Sequence, residues 1–147
     1  MFKHILVPTD GSQFSQNAVR QAVIFAKETG AQITAFYAKP SPPIPYYGEG
    51  IGYNFEMPSK YNELAEKQAQ ESLGFVEDLC QQEGVNCTKL ESVSDVPYQA
   101  IIEAATQCKC DLIFMASHGR SGISALLLGS ETSKVLTHSK IPVLVYR

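Results

Sequence analysis

The chain has 147 residues, 44% of them hydrophobic and 18% charged, with a formal net charge of -3 at pH 7. That length suits a single domain over residues 1–147 with a sizeable core. A pI of about 5.6 and the lack of any Lys/Arg run argue against a nucleic-acid partner, and no apolar stretch approaches the roughly 20 residues of a membrane span.

The opening "MFKHILVPTDGS" has too short an apolar run and no small-residue cleavage site for a signal peptide, so a cytoplasmic protein is expected. "HILVP", His4 to Pro8, reads as a buried strand closed by proline. Ser12 is a good N-cap for a helix that carries Phe14, Ala18, Ala22 and Phe25 on one face and stops at Gly30. Ala31 to Ala38 reads as the second strand.

Lys39 to Ser59 is rich in proline and glycine, keeps no periodicity and reads as a long loop. Leaving the second strand on the edge where a site is expected, it is read as a mobile flap, with a disordered spacer as the alternative. Its glycines at 48, 50 and 52 do not match a dinucleotide fingerprint: Tyr53 stands where the third glycine belongs, and no helix follows directly.

Tyr61 to Gln82 is helical, with an apolar stripe of Ala65, Ala69, Leu73, Val76 and Cys80. "VNCTKLES" reads as a third strand, and "SDVPYQAIIEAATQ" as a helix capped by Ser94 or Asp95 with Pro97 in its first turn. "DLIFMAS" is the most apolar strand, Glu131 to Ser139 is a helix, and "IPVLVYR" is the last strand. Cys80, Cys87, Cys108 and Cys110 read as free, half-buried thiols. The single residue between Cys108 and Cys110 is too short for most zinc knuckles.

This alternation predicts an α/β fold: an open five-stranded parallel sheet with helices on both faces. Strands one, four and five are expected to be apolar on both faces. Ligands bind such sheets beyond the carboxyl ends of the strands, where strand order reverses. "PTDGS", the loop after Ala38 and "SHGRSG" all fall on that edge. Gly129-Ser130 opens the last helix, and a helix start with a glycine favours phosphate. Ser130 would cap the helix or turn its hydroxyl to the anion. The alternative is a pair of ordinary turns.

Gly119, nine residues, then Gly129-Ser130 resembles the glycine signature of the universal stress protein family, adenine-nucleotide-binding type. "ILVPTDGS" and "IPVLVYR" are similar to that family's first and last strands, so the resemblance spans the chain. One departure stands out: Ala116 replaces the first glycine of the signature. The resemblance implies a Rossmann-like fold of the adenine nucleotide alpha hydrolase type. It implies an adenosine end at Pro8, Thr9 and Asp10, with adenine at the Ala38 backbone and ribose beside Met115 and Ala116. Gly119, Arg120, Gly129, Ser130, Glu131 and Thr132 would surround the phosphates. Asp10 is equally a turn-forming residue. Glu131 suits the start of a helix but would repel phosphate unless it points away or shares a divalent cation. His118 falls in the candidate site and is expected to be an exposed loop histidine, with a phosphate contact as the alternative.

The phosphate-loop, His-Glu-x-x-His and Gly-x-Ser-x-Gly motifs are absent. The expected function is a stress-response binding module for ATP, ADP or AMP with Mg2+. Slow ATP hydrolysis at the same site is the alternative, and an interaction protein with an empty pocket a further one. "IPVLVY" carries apolar side chains on both faces and no charge before Arg147. As an edge strand it is expected to pair with a second copy, giving a homodimer through Ile141–Tyr146, with a helix or the long loop of the same chain covering the edge as the alternative.

Overall fold

β1 (His4–Pro8) is the middle strand of a five-stranded parallel sheet. The computed structural model describes residues 1–43, 57–120 and 127–147. After β1 come α1 (Gln13–Thr29), β2 (Gln32–Lys39), α2 (Met57–Glu83) and β3 (Cys87–Val93). α3 (Pro97–Gln107), β4 (Leu112–Ala116), α4 (Ser130–His138) and β5 (Val143–Tyr146) complete the chain. The strand order is β3-β2-β1-β4-β5. The chain therefore winds outward from β1 in one direction, crosses back, and winds outward in the other. The reversal lies between β1 and β4.

Period-two alternation divides the core. Ile5, Val7, Ile33, Ala35, Leu112 and Phe114 face α1 and α2. Leu6, Phe36, Ile113 and Met115 face the α3 side of the sheet. Ile5, Leu6 and Val7 are wholly buried, each contributing about 1.5–3 kcal/mol by leaving water. The expectation about which strands are buried on both faces needs correcting. β2 is buried along most of its length, whereas β5 is only half-buried throughout. Position in the sheet decides this: β2 has a strand on each side, and β5 lies at an edge.

The boundaries follow local chemistry, with one exception. Ser12 caps α1, its hydroxyl accepting from the Ser15 amide at 3.2 Å. Neither Ser94 nor Asp95 caps α3. Val96 holds that position without a side-chain bond, while Ser94 bonds the Val96 amide and Asp95 takes the Ser41 amide. The expected loop from Lys39 to Ser59 is shorter at both ends, since β2 includes Lys39 and α2 starts at Met57. The flap reading falls on 44–56, outside the described residues.

β1 stays beside β2 as far as Pro8↔Phe36, and β4 beside β5 as far as Ala116↔Tyr146. β1 and β4 pair only at Ile5↔Leu112 and Leu6↔Ile113. Their carboxyl ends part, which opens a crevice at the point where strand order reverses.

Candidate functional site

A cavity of about 560 Å³ fills that crevice. Pro8, Thr9 and Asp10 wall it from the turn after β1, Ala38 from the end of β2, and Met115 and Ala116 from β4. Gly119 and Arg120 close one side, and Gly129, Ser130, Glu131 and Thr132 form the floor at the start of α4. The structure thus gathers all twelve residues singled out in the sequence around one space. It adds an apolar wall that was not foreseen, from Phe36, Pro97, Ile101 and Leu128. Phe36 was findable, because it lies two positions before Ala38 on the same face of β2.

Asp10 builds the turn after β1. Its Oδ1 accepts from the Ser12 amide at 2.9 Å, and its Oδ2 accepts from the Arg120 amide at 3.0 Å. The Arg120 Nε donates to the Asp10 carbonyl at 2.8 Å. Asp10 and Arg120 therefore tie the two loops flanking the strand reversal to each other. A Cβ on Gly119 would lie 2.6 Å from Asp10 Oδ2, so this tie leaves room only for glycine. Arg120 also reaches the Gly11 turn, which sits against α2: a Cβ on Gly11 would lie 3.4 Å from Arg120 Nη2 and 2.6 Å from Ser72 Oγ. On that side burial pushes the Tyr37 phenol up, with Arg120 opposing the rise and Asp10 adding to it.

Ala116 is accommodated without strain. It is a regular residue of β4, and among the described non-glycine residues only Lys109 has a positive φ. Its carbonyl accepts from the Thr132 hydroxyl at 2.9 Å. The Gly129 amide donates to the Ser117 carbonyl at 2.8 Å. A Cβ on Gly129 would lie 3.1 Å from that carbonyl and 3.3 Å from the His118 Cα. A side chain here would press on two backbone atoms, so the close approach of one backbone to another favours glycine.

Gly129, not Ser130, is the N-cap of α4, and it provides no side-chain cap. Among the described residues, the amides of Ser130, Glu131 and Thr132 have no hydrogen-bond acceptor. The Glu131 carboxylate, well placed to serve its own helix, is used elsewhere. Its Oε2 accepts from the Tyr98 amide at 2.9 Å and so satisfies the first turn of α3, while its Oε1 faces Lys134 at 3.3 Å. The α4 start is left with open donors and the positive end of a helix dipole.

His118 is not exposed, contrary to expectation, but 7% accessible. Its Nδ1 bonds Ser117 Oγ at 2.9 Å, its Nε2 bonds the Leu127 carbonyl, and the Phe14 ring lies 5.5 Å away. No spacing in the sequence announces this, because Leu127 returns to the histidine only through the fold.

An open parallel α/β sheet with its cavity at the strand reversal and its open donors at a glycine-led helix is a ligand-binding architecture of the doubly wound kind. The universal stress protein family model matches residues 1–147, and the chain belongs to that family. Universal stress protein MJ0531 of Methanocaldococcus jannaschii is 35% identical over 147 residues, covering all of this chain and 83% of the relative. The universal stress protein UspA of Lactobacillus plantarum has a TM-score of 0.78 at 26% identity, covering 99% of this chain and 98% of the other. The same fold recurs in a universal stress protein in complex with cAMP (TM-score 0.72, 24% identity, 99% and 97% covered). It recurs again in the Archaeoglobus fulgidus protein in complex with dAMP (TM-score 0.66, 17% identity, 100% and 98% covered).

Proposed function

We propose that the protein is a regulatory module that binds an adenine nucleotide in the cavity between β1 and β4. The observation that carries this reading is the set of amides on Ser130, Glu131 and Thr132 at the cavity floor that have no acceptor among the described residues. A phosphate group accepts from those amides and from the Ser130 hydroxyl. The base lies along Phe36 and Ile101 toward the Ala38 backbone, and the ribose lies between Asp10 and Met115–Ala116. Relatives of the same fold that hold cAMP and dAMP support the adenine assignment.

ATP with Mg2+ is the form proposed. Among the described residues no three His, Cys, Asp or Glu side chains cluster to hold a metal. Mg2+ would therefore travel with the phosphates and keep its water shell. Binding is favoured over hydrolysis, because the two carboxylates lining the cavity among the described residues, Asp10 and Glu131, are both committed to main-chain amides that shape the site. The module would act in the cytoplasm as part of a stress response. It would pair through β5, which is half-buried and has no strand beyond it among the described residues, so that its outer edge could take a second copy.

Calorimetry with AMP, ADP and ATP, each with and without Mg2+, tests the nucleotide reading. Micromolar affinity for at least one supports it, and no heat for any of them removes it. Sedimentation tests the pairing: a species near 16.1 kDa defeats it, and Val143→Lys should break a dimer.

A further inference from the structure

Two consecutive buried residues, Ser117 and His118, hold the far end of the glycine-rich loop. Ser117 does so with its main chain, accepting the Gly129 amide at 2.8 Å. His118 does so with its ring, through Nε2 and the Leu127 carbonyl. A carbonyl oxygen can only accept, so Nε2 must carry the proton. In the neutral ring Nδ1 is then an acceptor, and the Ser117 hydroxyl donates to it at 2.9 Å. Both nitrogens are occupied, and the ring is held in one tautomer.

We infer that His118 is a positioning residue: in its Nε2–H form it clasps Leu127 and thereby sets where the open amides of α4 stand. The consequence for ligand affinity rests on the nucleotide reading above. The ring lines the cavity but has no nitrogen left for a phosphate, so it acts through the backbone it holds. Without the clasp, the described approach to α4 would keep the Gly129–Ser117 bond, with the Thr132–Ala116 bond one turn further on, and the Leu127 carbonyl would lose the ring as its donor.

Ring ¹⁵N spectroscopy of the unliganded protein gives the first measurement. A protonated Nε2 with an unprotonated Nδ1, unchanged on adding AMP, is expected; the opposite tautomer, or rapid averaging of the two, overturns the clasp. Variants give the second. His118→Gln keeps a side-chain N–H for Leu127 and should hold AMP affinity within about threefold of wild type. His118→Phe keeps the ring and loses the donor, and should weaken AMP by about tenfold with faster amide exchange at Gly129. Equal affinity in His118→Phe, or equal losses in both variants, overturns the inference. If His118→Phe does not fold, the ring spectrum and His118→Gln decide. If wild type binds no nucleotide, the nucleotide reading falls alone. The ring tautomer, and Gly129 exchange in His118→Phe against His118→Gln, then decide the clasp.

Discussion

α1 and α4 follow the two strands that flank the reversal point, yet they begin in opposite ways. α1 starts after a tight turn and is partly capped by side chains: Ser12 accepts the Ser15 amide, and Asp10 accepts the Ser12 amide. α4 starts after a long, glycine-bearing loop, has Gly129 at its cap, and sends its one acidic first-turn side chain to α3. The first arrangement supports stability and the second leaves donors for a ligand. The difference lies at the third amide of each helix: Ser12 takes that of Ser15 in α1, whereas Gly129 has no side chain to take that of Thr132 in α4, which suits α4 better as receptor for a ligand, with α1 as scaffold, under the proposed reading.

The harshest way to break this contrast is Gly129→Val. The added side chain meets the Ser117 carbonyl and the His118 Cα, so the approach that aims the open amides is lost. Calorimetry should show ATP binding weakened beyond about a hundredfold, and melting should show a loss of about 1–3 kcal/mol from overpacking. Unchanged affinity would mean that the α4 start is not the receptor.

Paired serine variants sharpen the contrast. Ser130→Ala should weaken nucleotide binding by about 1.5–3 kcal/mol, the range for a hydrogen bond to a charged group. Its melting temperature should stay close to wild type, because Ser130 is not the cap. Ser12→Ala should do the reverse: lower stability by about 1 kcal/mol and leave affinity within twofold. A swap of these two outcomes would invert the assignment of scaffold and receptor.

The smallest effect is expected at the opposite end of the same strands. Burial alone would raise the Asp111 carboxyl, but the Lys3 and His4 amides outweigh it and hold it below its ordinary range. A depressed carboxyl contributes stability above its unfolded pKa and loses it as pH falls through the folded one. Asp111→Asn should therefore melt lower at neutral pH, by less than about 1 kcal/mol because the carboxylate is mostly hydrated. The difference should close as the pH drops below the ordinary carboxylate range, and a gap persisting there would assign the effect to packing.

Much of the architecture was legible because it depends on neighbours in sequence. Apolar runs, Ser12 before a periodic stretch and glycines after helices locate nine elements within a few residues. The residues around the cavity were legible through the spacing from Gly119 to Gly129-Ser130. What stayed hidden depends on distant partners. The first turn of α3 is served by Glu131, so no local rule could find it among Ser94 and Asp95. His118 is buried by Leu127 and Phe14, which approach it only in the folded chain. The depth of β2 follows from strand order, which local propensity does not encode.

The sparse pairing of β1 with β4 bears on the order in which the molecule assembles. Ile5 and Leu112 are joined across most of the chain, whereas β1 meets β2 after a single helix. Closing the longer loop carries the larger entropic cost, so the near pairing is favoured early and the far one late. The crevice exists only once that last closure is made. A ligand lodged there would recognise the finished protein and not its precursors, so it is expected to slow unfolding and leave the refolding rate nearly unchanged.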